Sequence, residues 1–468
     1  MSELHFKTII EVSEALRRGE LTSAAVTQTM LDRIESLDAT YRSYAHVCRD
    51  RALEQARRAD QEMAAGLWKG PLHGVPIAVK DLCYTRYAPT AAGTTLHAGF
   101  VASFNATVVD RLEVAGAIVL GKLSMTEGAY ASHHPDIPAP LNPWNHDAWA
   151  GASSSGSGVA TAAGLCFGSL GSDTGGSIRL PSAMNGLTGI KPTWGRVSRH
   201  GVFALAETMD HIGPMTRSAA DGAAMLQAIA GWDRQDPTSI DAPVPDYMSE
   251  LGRSIRDLRI GIDRRYALDG TDSEVASALE AAVEVFTELG ARFVDVTFPP
   301  CEPLVASWNT MCAVETALAH ESTYPSKSEF YGPALKGLIE AGRAATGLEI
   351  ARNHLRRAEF TEALATMFRA IDCLLIPTIP MRGPSVARIA NIGEDANLLA
   401  GIIRFTCPFD LSGTPTITLP SGFDSTGLPI TLQLAGARLG EPVLIRAGHA
   451  FQTQTDWHRR HPKIGESR

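Results

Sequence analysis

The chain lacks several features that would assign it to common classes. Nowhere in its 468 residues is there an apolar run near the roughly 18 residues that a membrane helix needs. The opening MSELHFKTIIEVSEALRRGE has no apolar stretch of the signal-peptide kind, so a cytoplasmic location without membrane partners is expected. Cysteine is sparse: seven residues, an odd number, scattered and without a CxxC pair, which argues for reduced thiols rather than a disulfide framework or structural zinc site. Basic runs are absent and the net charge is −9, so the clustered Lys/Arg footprint of nucleic-acid binders is missing. Histidine is absent from the segments that carry the strongest chemical signal, although the chain has 14. The adjacent His133 and His134 project in different directions and make a poor metal pair, so no metal is expected and a pocket rim or surface loop suits them better.

What is present is an ordinary globular balance, 44% apolar and 20% charged. Residues 1–65 read as helical, with Thr22 placed to cap a run in which Val26, Met30, Leu31 and Ile34 recur at helical spacing. From residue 74 short apolar runs alternate with helices. Val75–Val79 predicts a buried strand ending at Lys80, Thr107–Ala115 a helix closed by Gly116, and Ala117–Leu120 another strand. Leu258–Ile262, Phe293–Phe298, Ile371–Ile376 and Ile430–Leu434 repeat the strand signal. Thr271 and Glu274 have capping-box spacing, and Pro442 suits the first turn of a last helix. This alternation predicts an α/β fold.

Three segments stand out: GVPIAVKDL (74–82), GASSSGSG (151–158) and GSDTGGSIRLPSAMNGLTGIKPT (171–193). A serine hydroxyl needs a base to take its proton as it attacks. Lys80 serves only if its ammonium is deprotonated, and the end of an apolar strand is a setting in which burial could lower its pKa. The glycines before Ser177 let the backbone approach a substrate, so that N–H groups of Thr174, Gly175, Gly176 and Ser177 could face the oxyanion of a tetrahedral intermediate. Taken singly, each segment has a plainer reading: a glycine/serine loop is more often a turn or anion nest, and a strand-end lysine more often sits at the surface. GAIVLGKL (116–123) fits GxxxxGK, but Leu123 replaces the Ser or Thr that would bind magnesium, and its apolar centre reads as a core strand.

Together and in this order, the segments resemble the amidase signature family. The resemblance runs from about residue 65 to 215 and returns at 408–436 in PFDLSGTPTITLPSGF and GLPITLQLAG; residues 230–400 match loosely. It implies a Ser-cisSer-Lys triad: Ser177 of GGSIR as acylated nucleophile, Lys80 of VKD as base, and Ser153, 24 positions before the nucleophile, as the bridging serine with a cis peptide bond. Ser154 is the fallback for that bridge, because Ala152 and Ser155 stand where the family commonly has glycines. Asp173 and Arg179 are assigned to holding the loop. Met125, Tyr130 and Trp149 lie where the family builds substrate-pocket walls, although such residues are core as often.

The resemblance also implies one domain with a central twisted mixed sheet covered by helices. The core is expected from 66–230 and 400–460, with 230–400 forming a pocket-shaping layer. The expected activity is acyl transfer without cofactors on a small-molecule amide, carbamate or urethane, by a monomer or homodimer. The alternative is a glutamine-hydrolysing amidotransferase subunit that works with a partner protein.

Overall fold

Uninterrupted apolar runs such as PIAV form strands buried on both faces, the pattern of a sheet with helices on each side. The computed structural model describes residues 4–464. Its strands are β1 (Tyr44–Val47), β2 (Pro76–Lys80), β3 (Ile118–Leu123), β4 (Gly168–Asp173), β5 (Thr188–Lys191), β6 (His211–Thr216), β7 (Arg259–Ile262), β8 (Arg292–Asp295), β9 (Cys373–Pro377), β10 (Thr416–Phe423) and β11 (Pro429–Gly436). Among the described residues they form a single sheet in the order β1-β3-β2-β4-β6-β5-β10-β11-β9-β7-β8. The sheet is mixed. β2 runs parallel to β3 and β4, and β7 parallel to β8 and β9, while β4–β6, β5–β10 and β10–β11 are antiparallel.

The parallel trio places the chemistry. β2 ends at Lys80, and β4 beside it ends at Asp173, where the glycine loop begins. Helices Ser155–Ala162 and Arg179–Asn185 follow the two serine motifs and pack on each other. The first also lies hard against neighbouring backbone: a Cβ at Gly156 would lie 2.4 Å from the Ser124 carbonyl oxygen and 2.5 Å from that of Ser43. That approach explains a glycine inside a helix it would otherwise weaken. Ile77, Val79, Val119, Leu170, Ile190 and Leu432 are among the buried side chains of the sheet. All seven cysteines are free and buried.

Several predicted elements appear as expected. Thr22 caps Ser23–Tyr41 by accepting from the Ala25 N–H, the helix Thr107–Val114 ends before Gly116 at φ 84°, and Pro442 opens Glu441–Gln454. Others differ. The N-terminal helices are interrupted by β1, whose half-exposed residues carry no apolar alternation, and which is held by pairing with β3. The Thr271/Glu274 capping box does not form. Asp272 is the N-cap residue, Glu274 accepts from Ser425 and Arg382, and the Thr271 hydroxyl donates to the Ala267 carbonyl. The strand predicted over Phe293–Phe298 is β8, which stops at Asp295 ahead of Pro299 and Pro300. Residues 230–400 supply β7, β8 and β9 to one edge of the sheet as well as a set of helices. Among the described residues no helix is long and apolar enough to cross a membrane.

Candidate active site

Lys80 is fully buried at the end of β2. Its Nζ lies 2.6 Å from Ser153 Oγ, 2.9 Å from Ser154 Oγ and 2.8 Å from Ser172 Oγ, the last on the neighbouring strand β4. Burial pushes its pKa down to about 7, against the opposing pull of Asp173, Cys83 and Asp210. A neutral amine donates two hydrogens and offers one lone pair, so it can satisfy three hydroxyls only if one of them donates to it.

Two interactions distinguish the adjacent serines. The Ser154 hydroxyl donates to the Ser172 carbonyl at 3.1 Å and accepts from the Ser172 N–H at 3.2 Å, so its hydrogen is committed. Ser153 Oγ has no protein partner other than Lys80 among the described residues, which leaves its hydrogen free for the amine. The Ala152–Ser153 peptide bond is cis, and the Ser153 carbonyl accepts from the Thr126 N–H.

The glycine loop is organised by one carboxylate. Asp173 accepts from the N–H groups of Gly176 (2.6 Å), Ile178 (2.9 Å) and Arg179 (3.3 Å), and from Arg179 Nε (2.9 Å) and Nη2 (2.8 Å). The Arg179 guanidinium beside it holds the Asp173 carboxyl well below its usual range although both are fully buried. Arg179 also donates to Asp410, Gln433 and the Thr406 carbonyl, so it faces the interior and not the pocket. Gly176 is a correction to the expected oxyanion set, because its N–H points at Asp173. The N–H groups of Thr174, Gly175 and Ser177 have no acceptor among the described residues. The loop's carbonyls are pinned from outside: Trp308 Nε1 donates to that of Thr174 at 2.7 Å, and Thr406 Oγ1 to that of Gly175 at 2.5 Å.

The Trp308 contact makes Gly175 sensitive, since a Cβ there would lie 2.5 Å from Trp308 Cζ2. Gly175→Ala is expected to lower kcat about 10- to 100-fold by displacing the ring or the loop. Steady-state kinetics alongside tryptophan fluorescence checks this; unchanged values of both would contradict it.

Ser177 is half-buried and opens on a pocket walled by Tyr130, Trp149, Leu180, Leu205, Trp308 and Ile403. Of the three expected wall residues, Tyr130 and Trp149 line it. Met125 does not, and is core at 1% exposure. Trp308, Ile392, Leu399, Ile402 and Ile403 come from the stretch where the motifs fade, and sequence patterning does not single them out. Nor does it single out Ser172, although that residue sits at the second position of the GSDTGGS segment. Beneath the loop lies a second buried group. Burial raises Asp410 well above the usual carboxylate range, lowers Lys191 to about 7, and raises Asp210, which accepts from the Thr174 hydroxyl, to about 6. His133 is half-buried with Nε2 3.2 Å from the Ser155 hydroxyl oxygen, and His134 Nδ1 accepts from the Asp136 N–H. Among the described residues no cluster of potential metal ligands occurs. Lys122 of the GxxxxGK match is buried in β3, ion-paired with Asp81 and bonded to Thr90.

Comparison with known proteins agrees with this architecture. The chain is 49% identical over 456 residues to the Mycobacterium tuberculosis protein AmiD, covering 97% of this chain and 96% of that one. It is 38% identical over 492 residues to a glutamyl-tRNA(Gln) amidotransferase subunit of Chloroflexus aurantiacus, covering 99% and 100%. The peptide amidase of Stenotrophomonas maltophilia superposes with a TM-score of 0.83 at 29% identity, covering 98% of this chain and 99% of that one. The Amidase family model matches residues 25–445, and the chain belongs to the Amidase family.

Proposed function

We propose that the chain hydrolyses the C(=O)–N bond of a small-molecule amide or carbamate through an acyl-enzyme on Ser177, with Ser153 as proton relay and neutral Lys80 as base. The observation that carries this reading is a solvent-excluded amine 2.6 Å from a hydroxyl whose hydrogen has no other acceptor among the described residues. As Ser177 Oγ attacks the carbonyl, its proton passes to Ser153, whose own proton passes to the Lys80 lone pair. The unclaimed N–H groups of Thr174, Gly175 and Ser177 face the developing oxyanion. The protonated lysine then returns its proton through Ser153 to the departing nitrogen, and water repeats the sequence on the acyl group.

The lining argues for a free-standing enzyme over a glutamine-fed amidotransferase subunit. Glutamine carries an ammonium and a carboxylate, each of which needs a countercharge when desolvated. Among the described residues no charged side chain lines the pocket beside Ser177, and in the adjoining groove Arg265 is paired with Asp269 while Arg404 donates to the Tyr266 carbonyl. Activity on simple aryl or alkyl amides and carbamates without a partner protein, and no ammonia release from glutamine, is the expected outcome of a substrate panel. Strict dependence on glutamine and a partner would overturn the reading.

Acidity gives a second test. Lys80 releases its proton at about 7; below that it is charged and has no lone pair to accept from Ser153. The value of kcat/KM should therefore fall about tenfold per pH unit below 7 and level off above it. A profile flat down to pH 5 would rule out lysine as base.

A further inference from the structure

The pocket beside Ser177 encloses only about 30 Å³ of free volume, roughly one water's share of the liquid. Sites that hold an organic ligand commonly run about 300–1,000 Å³. Three of its wall residues, Trp308, Leu399 and Ile403, have a second face on an open groove of about 900 Å³. Leu399 and Ile403 are four apart on the helix Ala396–Ile403 and share one side of it. Trp308 meets them from the helix Glu302–Ala319. Beyond this wall the groove floor is apolar, with Tyr266 and Phe298 stacked at 4.1 Å beside Pro299 and Val305. Its charged lining is of both signs, Arg265 and Arg404 beside Asp263, Asp269 and Glu302, so a strong charge of one sign is not what it selects.

We propose that this groove binds the part of the substrate remote from the scissile bond, and that the preferred substrates are amides or carbamates bearing an extended apolar or aromatic arm. The proposal rests on the hydrolase reading above. The arm passes the wall of Trp308, Leu399 and Ile403, while the reacting carbonyl alone occupies the small space at Ser177. Among the residues that line the groove and not the pocket are Ala306, exposed on its helix, and Gly401, whose added Cβ would meet nothing within 4 Å.

The test is a series of 4-nitroanilides of straight-chain acids from acetyl to dodecanoyl, with a matched series of acetamides of lengthening alkylamines. In one series kcat/KM is expected to rise about 2- to 4-fold per added methylene. Ala306→Trp and Gly401→Trp should each cut the long-to-short ratio of kcat/KM at least tenfold, with circular dichroism matching the parent. A parent enzyme that cleaves the acetyl compound but shows no dependence on length in either series overturns the groove assignment and leaves the hydrolase reading standing. So does an unchanged ratio in both variants. Failure to cleave any member, the shortest included, removes the hydrolase reading itself.

Discussion

Ser177→Ala is expected to lower kcat by about 10⁴- to 10⁶-fold while leaving the fold intact, the range found when one member of a nucleophile–base unit is deleted. The side chain is half-buried and its hydroxyl has no hydrogen-bond partner among the described residues, so its removal should shift unfolding free energy by less than about 1 kcal/mol. Lys80→Met should produce a loss of similar size, because it removes the acceptor of the proposed relay, the amine 2.6 Å from Ser153 Oγ. The double variant should be no worse than the poorer single one, since the groups act as a unit. Additive losses would mean that the two residues work independently, and kcat within tenfold of the parent in Ser177→Ala would mean that another group attacks.

Asp173→Ala should instead act on stability. It removes the acceptor of five donors and leaves the Arg179 guanidinium fully buried with one fewer carboxylate. Breaking a buried ion pair from one side typically costs about 3–5 kcal/mol. Urea unfolding is expected to register that cost, along with loss of activity as the Gly176 N–H and the following helix lose their anchor. The contrast with Ser177→Ala is informative: one variant should be dead and stable, the other dead and destabilised. An Asp173→Ala protein as stable as the parent would show that Asp410 and the surrounding carbonyls hold Arg179 without it.

Much of this was legible in the chain because the informative residues are local. The apolar run before Lys80, the serine triplet and the double glycine each lie within ten residues of sequence, and their strand and helix boundaries follow from spacing and caps. The sheet's outer strand β1 was not legible, since it is held by pairing with β3 and not by its own pattern. The commitment of the Gly176 N–H to Asp173 depends on how the loop curls back on itself, and residue type carries no trace of that. Trp308, Leu399 and Ile403 reach the pocket from more than 130 residues away along the chain, on helices whose apolar faces read as ordinary core. Ser153 and Ser154 differ in a hydroxyl hydrogen that Ser154 spends on the Ser172 carbonyl, a contact made only when β4 lies against the serine turn. Glu274 illustrates the converse, with capping-box spacing present and the side chain drawn away to Ser425 and Arg382.

The central claim is that the substrate's acyl group passes through a covalent bond to Ser177, made by a hydroxyl stripped of its proton by an uncharged lysine. Intact-mass analysis of protein quenched during turnover of a slowly hydrolysed carbamate measures it directly. One added carbamoyl mass per chain, mapping to the peptide that contains Ser177 and absent from the Lys80→Met and Ser177→Ala proteins, is the predicted result. Turnover without any adduct, or an adduct of equal yield in Ser177→Ala, would contradict it.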